Sequence, residues 1–447
     1  MADNNVRISK RVLGILLNSI GAGVVPRSGL EYIAIGRNDE LAALLRDLED
    51  IAEGMCAVKF IVGRYGSGKS FLLRLIENHA LSEGFVTASA DLSPERRLAG
   101  TRNQGLATYR ELIKNLACKS SPDGGALQGI LSRWLGSVGT KAVEEGCDPD
   151  SEEFSKYVRA EIFKVCSELE GLVNGFDFAK VIWSYYEGYS KGDEAMLASS
   201  LKWLRGEYST KLEARTELSV ASVINDENWY DYIKLMALFV RKLGYKGLIV
   251  YLDECVNLYK IPNRVSRENN YEKILSMFND TMQGKAEGLG IYFGGTPEFL
   301  EDKNRGLYSY EALRSRLSDS RFGVSDSEKL KNYITPVIRL SRLTGDELFA
   351  LVGKLETVHN LYYGSGVKTT DEEKLEFLKI YSERMGADSL LTPREVIRDY
   401  LSVLNILMQN PEASFADLMK NEMSKATEGD NDEGKDEFDS AFSKFEL

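Results

Sequence analysis

FIVGRYGSGKSF, residues 60–71, decides the fold. It continues a short run, CAVKFIVG, apolar apart from Lys59, of the kind a strand buried on both faces requires. Gly63-Arg64-Tyr65-Gly66-Ser67-Gly68-Lys69-Ser70 then fits G-x-x-x-x-G-K-[ST] in full. Glycines there let backbone N–H groups converge on phosphate oxygens with no side chain in the way. Lys69 suits the β- and γ-phosphates and Ser70 a Mg²⁺ ion, and a helix beginning at Lys69 adds its positive N-terminal end. KSFLLRLIENHALSEG has a helical period and stops at Gly84, and FVTASADLS reads as a second strand. A glycine turn without a ligand is the competing reading, but the strand before and the helix after favour a phosphate loop. The β-α-β order predicts an α/β fold with a parallel sheet.

With 447 residues, 43% hydrophobic and 28% charged, the chain has enough apolar sequence for a sizeable core and two or three domains. No apolar run reaches the ~18 residues of a membrane span. The N-terminal stretch MADNNVRISKRVLGILLNSIGAG is interrupted by Gly14, Asn18 and Ser19, and it predicts an amphipathic helix over 7–22 rather than a signal peptide. Cys56, Cys118, Cys147, Cys166 and Cys255 are scattered without C-x-x-C spacing, which points to free thiols in a reducing, cytoplasmic setting. With only His79 and His359 in the chain, a histidine metal site or triad is not expected. The net charge of −12 argues against a surface that coats DNA, though not against a local basic patch. From Lys425 onward, eight acidic residues face three lysines. That composition predicts a solvated, disordered tail, interrupted by Phe438, Phe442 and Phe445.

The pattern divides the chain into an N-terminal helix (1–30), a first part of the nucleotide-binding core (31–104), a helical insertion (105–245), a second part of the core (246–335), a helical lid (336–412) and the acidic tail (413–447). The insertion shows aromatic-rich amphipathic helices and no strand pattern, and reads as partly a subdomain of its own. LIVYLD and GIYFGG carry the buried-strand signature again, and NYITPVIRLSRLT suggests a last strand or extended link.

LIVYLDE places Asp253 and Glu254 at the carboxyl end of a strand. An aspartate there holds the Mg²⁺ shell, and the next glutamate orients the attacking water. GIYFGGTPEF ends in Thr296, whose hydroxyl would meet the γ-phosphate or the water, cap the following helix, or do both. SYEALRSRLSDSRFG supplies Arg314, Arg316 and Arg321, forks suited to a neighbouring subunit's phosphate. TPREVIRDYL sets Thr392 as helix cap, Pro393 at the first helical position and Arg394 in the first turn. Gly36-Arg37-Asn38-Asp39-Glu40 opens a helix ahead of the loop and suits packing against the adenine. Gly36, Arg37, Gly63, Tyr65, Gly66, Ser67, Gly68, Lys69, Ser70 and Phe71 are thus the nucleotide-binding candidates. Lys69, Asp253, Glu254, Thr296, Arg316 and Arg394 are the catalytic ones, and Ser70 and Asp253 the metal ligands.

In this order the pieces resemble AAA+ ATPases of the origin-recognition and helicase-loading branch, over about 30–120 and 245–410. GRYGSGKSFLLRLIENHAL, YLDECVNLYKI, GGTPEFLED and RGLYSYEALRSRL more closely resemble the ATP-binding proteins of the BREX phage-defence systems. By that resemblance Lys69 and Ser70 match the family's phosphate-loop residues, Asp253 and Glu254 its Mg²⁺ and water-directing acids, and Arg316 its trans-acting arginine, with Arg314 and Arg321 as rivals. Origin-recognition relatives continue into a winged-helix DNA-binding domain, whereas here an acidic tail follows residue 410. DNA contact would then fall to the N-terminal helix, the insertion or the loop KIPNRVSRENN, with Asn263, Arg264 and Arg267 facing phosphates.

The resemblance implies an ATPase using ATP and Mg²⁺ to assemble with itself or with other defence proteins, a helicase among them, and to remodel a protein–DNA complex. A nucleotide-gated switch or scaffold that hydrolyses slowly is the alternative. A small-molecule kinase would leave the lid and finger arginines without a role.

Overall fold

The computed structural model describes residues 8–167, 175–318, 332–384 and 392–420. Strands β1 (Ala57–Val62), β2 (Val86–Asp91), β3 (Leu248–Asp253), β4 (Leu289–Gly295) and β5 (Val337–Arg339) form one sheet in the order β2-β3-β4-β1-β5. Every pairing is parallel, so each connection crosses a face of the sheet and all five carboxyl ends share one edge. β4 lies between the strand that leads into the phosphate loop and the strand that ends in Asp253.

The strands are buried on both faces because their side chains alternate into two cores. Val58, Phe60 and Val62 of β1 join Val250, Leu252, Ile291 and Phe293 in one core. Phe60 stacks on Phe293 with ring centroids 4.9 Å apart. Ala57 and Ile61 join Ile249, Tyr251 and Tyr292 in the other. Helices Asn38–Ala52 and Lys69–Glu83 cover this second face through Leu44, Leu48, Ile51, Leu72, Leu73 and Ile76.

The insertion supplies the opposite cover. Its helices run Gln104–Lys114, Ala126–Glu144, Glu152–Ser167, Gly175–Lys191, Glu194–Leu204, Lys211–Leu218 and Trp229–Lys242. Trp134, Phe178, Trp203, Trp229 and Phe239 belong to the same continuous core as Val58 and Phe60. The insertion's core is therefore continuous with the sheet's: its first and last helices, Gln104–Lys114 and Trp229–Lys242, pack on the strands, and the helices between them pack chiefly on one another. One short pairing escapes the sequence: Ala117 exchanges backbone hydrogen bonds of 3.0 and 2.8 Å with Thr87 on the outer edge of β2. A one-residue bridge has no periodicity to read, yet it covers part of an open edge.

Two compact units result. The sheet and insertion form one, Asn38–Arg64 with Gly68–Leu340. The other gathers the described residues of Met1–Arg37, Tyr65–Ser67 and Ser341–Leu447. In this second unit, helix Lys10–Gly21 buries Leu13, Leu16, Leu17 and Ile20 and packs against Gly345–Tyr363 and Pro393–Gln409. Capping boxes, Thr344 with Glu347 and Thr392 with Glu395, start the last two helices. Residues 415–420 are also helical, with Phe415 and Met419 buried. The acidic stretch from 421, with its phenylalanines, lies outside the described residues. Among the described residues no helix is long and apolar enough to cross a membrane.

A lysine inside β1 needs a physical account. The Lys59 ammonium is buried and donates to the carbonyls of Tyr333, Ile334 and Thr335 at 3.3, 3.2 and 3.0 Å, tying the approach to β5 onto β1. Asp47 lies 3.7 Å from it, with one carboxylate oxygen buried and unbonded. Burial outweighs the lysine's pull and raises the Asp47 pKa to about 6. The native state therefore binds this proton more tightly than the unfolded chain does, and this carboxyl's contribution to stability is lost as pH rises from about 4 to about 6. Denaturant unfolding across that range should show an Asp47-dependent fall of at most ~1.4 kcal/mol per pH unit. Asp47→Asn should remove that slope.

Candidate nucleotide-binding site

β1 delivers the phosphate loop to the carboxyl edge of the sheet, where Gly63 N–H donates to Gly295 O at 3.1 Å. Gly66 and Gly68 have φ of +78° and +90°, a backbone region that side chains other than glycine's enter at a cost. The helix Lys69–Glu83 starts directly from Gly68. The Lys69 ammonium curls back onto the loop and donates to Gly63 O at 2.9 Å and Arg64 O at 3.1 Å. Burial lowers its pKa, and Asp253, Glu254 and Glu298 partly oppose that shift.

The acidic strand end meets the start of the same helix. Ser70 Oγ donates to Asp253 Oδ2 at 2.6 Å, and Asp253 Oδ1 accepts the Glu254 N–H at 2.8 Å. The serine hydroxyl and the aspartate carboxylate are hard oxygen donors in contact, a set that fits Mg²⁺, which keeps most of its shell for water and phosphate. β4 makes room for this: a Cβ on Gly294 would lie 2.2 Å from Asp253 Oδ1. Glu254 is held at φ +56°, one of three described non-glycine residues with positive φ. Such strain costs on the order of 1–2 kcal/mol and collects at functional positions. Burial raises the Glu254 pKa, helped by the charges of Asp253 and Asp91 and opposed by Lys69.

Asp91 is a third acid at this edge that the sequence reading passes over. It ends β2 directly opposite Asp253, and burial together with the Asp253 charge raises its pKa. Its signal was present, since ASAD, like VYLD, is a strand ending in aspartate. Glu298, in the turn after Thr296, also acts on Lys69 and was likewise not singled out.

The other candidates divide between the two units. In the sheet unit, Thr296 follows β4 directly and its hydroxyl caps Pro297–Glu301, accepting the Phe299 N–H at 3.4 Å. Phe71 is half-buried in the helix after the loop. Arg314 pairs with Glu311 at 3.1 Å. Arg316 is exposed, and its guanidinium donates to Ala312 O of its own helix at 2.7 Å. Arg321 lies outside the described residues. Asn263, Arg264 and Arg267 do not form the expected phosphate-facing set. Asn263 caps helix Arg264–Met282, Arg264 pairs with Glu268 at 2.7 Å, and Arg267 is buried with a bond to Ile261 O at 2.8 Å.

In the second unit, Arg37 is buried and donates to Ser67 O at 2.9 Å and Ser341 O at 2.7 Å. Its guanidinium thus anchors backbone. Gly36, at φ +68°, lets the Glu347 carboxylate pass where a Cβ would be 2.3 Å away. Arg394 Nη1 donates to Tyr65 OH at 3.1 Å.

This architecture agrees with the match of a family model, BREX system ATP-binding protein BrxC/D, to residues 8–423. The chain belongs to that family. Compared with individual curated proteins, the sequence gives no significant match. ATP binding is the property that names the BrxC/D family, so the phosphate loop here is read with ATP as its nucleotide.

The strain at Glu254 is testable apart from any chemistry. Glu254→Gly should stabilise the fold by up to about 1 kcal/mol relative to Glu254→Gln, because glycine accepts positive φ. Chemical denaturation of the two variants measures it, and equal stability would mean that the left-handed backbone carries no strain.

Proposed function

We propose that this chain hydrolyses ATP and spends the cycle on assembling with, and remodelling, a protein–DNA complex of the BREX system in the manner of a helicase loader. The observation that supports the ATPase part of this reading is the 2.6 Å contact between Ser70 and Asp253, which unites the phosphate loop with the acidic strand end, and the remodelling part rests on the resemblance to helicase loaders. Gly66, Gly68 and Lys69 position the phosphates, and Ser70 and Asp253 hold Mg²⁺. The ion, when bound, neutralises charge on the β- and γ-phosphate oxygens. Glu254, its pKa raised by burial, orients water for in-line attack, and Thr296 at the neighbouring strand end contacts that water or the γ-phosphate. Arg316, exposed and without a carboxylate partner among the described residues, is favoured over Arg314 as the arginine offered to another subunit's phosphates. Arg394 answers to the nucleotide from the C-terminal helices. Partners are further copies of this chain or other BREX proteins.

Lys69→Ala should abolish ATP binding. Glu254→Gln should bind ATP, lose turnover by at least a hundredfold (the lower end of general-base effects) and accumulate as a nucleotide-trapped assembly visible by mass photometry. Normal turnover in Glu254→Gln would remove the water-directing role. Stimulation of the wild-type rate by DNA or a BREX partner supports the remodeller, and a negligible rate under all conditions supports a nucleotide-gated switch instead.

A further inference from the structure

The phosphate-loop motif leaves its second to fifth positions open, and nothing in phosphate binding requires an aromatic there. Tyr65 fills one of them, and 70% of its surface is exposed. An aromatic side chain on a loop tip with so little packing is not held there by the core. Its partner is Arg394. The guanidinium carbon sits 5.6 Å from the Tyr65 ring centroid, and Nη1 donates to the phenol oxygen at 3.1 Å. Ring face and hydroxyl together make a two-point seat for a planar cation.

The surroundings fix both ends of the pair. Thr392 caps the helix two residues before Arg394 and packs so closely on Gly66 that a Cβ there would lie 2.5 Å from its methyl. Arg37 holds Ser67 O at 2.9 Å. The Arg394 stem passes Gly23, whose Cβ would stand 3.5 Å from it. The three tip residues, Tyr65–Ser67, thus each meet a side chain of their own compact unit, in which Arg394 also lies.

We propose that Tyr65 is a positioning residue for Arg394: the loop tip carries the seat of the arginine, so the conformation of the phosphate loop sets where that arginine stands. The proposal rests on the ATPase reading above. Tyr65 precedes Lys69 by four residues in the same loop, so phosphate binding and arginine placement share one backbone. Phenylalanine would keep the ring face and lose the hydroxyl's bond, and alanine would lose both. A bystander tyrosine would have no such graded dependence and none on Arg394.

The test is a double-mutant cycle on the full chain with Tyr65→Phe, Tyr65→Ala, Arg394→Ala and the Tyr65→Ala/Arg394→Ala double variant, read in kcat and KM for ATP. Tyr65→Ala should lower kcat about tenfold with KM changed less than twofold, the scale of one seated cation. Tyr65→Phe should fall between wild type and Tyr65→Ala. In the Arg394→Ala background, Tyr65→Ala should add no further loss. Equal losses in both backgrounds, or no loss in the wild-type background, would overturn the proposal. A rate that rises in Tyr65→Ala would reveal a latch that withholds the arginine, and would overturn it equally. If the wild-type chain binds ATP without hydrolysing it, the ATPase reading fails by itself. The same cycle is then read in the free energy of denaturant unfolding, where strict additivity sinks the pairing.

Discussion

The hydrogen bond from Ser70 to Asp253 joins two pieces of sequence 183 positions apart, and most of the fold exists to make it. Ser70 stands in the first turn of the helix that β1 launches, and Asp253 ends β3. The two strands do not touch, because β4 lies between them. The contact therefore depends on β4 being thin at its end. Gly294 provides that, since any side chain there would occupy the place of the Asp253 carboxylate. Parallel pairing brings all these termini to one edge, and burial of both faces keeps the strands in register. The insertion, however remote in sequence, serves the same end through its first and last helices, which pack on the strands.

Electrostatics at the edge is unbalanced by design of the sheet. Asp91, Asp253 and Glu254 converge at neighbouring strand ends, with Lys69 as a cation beside Asp253 and Glu254, and Arg96 and Arg74 beside Asp91. Burial, reinforced by like charges, raises the pKa values of Asp91 and Glu254, and burial lowers that of Lys69. Such an arrangement favours a ligand bringing both negative phosphate oxygens for Lys69 and a divalent cation for the acids. Glu254 adds backbone strain to the electrostatic cost. A protein selected for stability alone would place glycine at that position; a glutamate there is consistent with a chemical task.

The fold was legible because its signals are local and strong. CAVKFIVG, LIVYLD and GIYFGG are apolar runs interrupted only by Lys59 and ended by Asp253, and the strand before and the helix after the glycines favour a phosphate loop over a plain turn. The loop, both strand-end acids and the Thr392 cap could be read from motif and spacing. Asp91 was missed, though ASAD has the same form as VYLD, because one aspartate after a strand signifies little until the register sets it against Asp253. Arg267 was misread as a surface residue since charge alone does not announce burial. Its bond to Ile261 O depends on how the helix start folds back. The two-unit division was equally hidden. Nothing in local pattern places Tyr65–Ser67 with helices more than three hundred residues downstream.

The central claim is that Ser70 and Asp253 form one Mg²⁺–ATP site with Lys69. Titration calorimetry of ATP with and without Mg²⁺ tests it most directly, on the wild type, Ser70→Ala and Asp253→Ala. The account predicts that Mg²⁺ strengthens ATP binding to the wild type and that either substitution removes most of that strengthening while leaving metal-free binding in place. Undiminished Mg²⁺ dependence in both variants would contradict it.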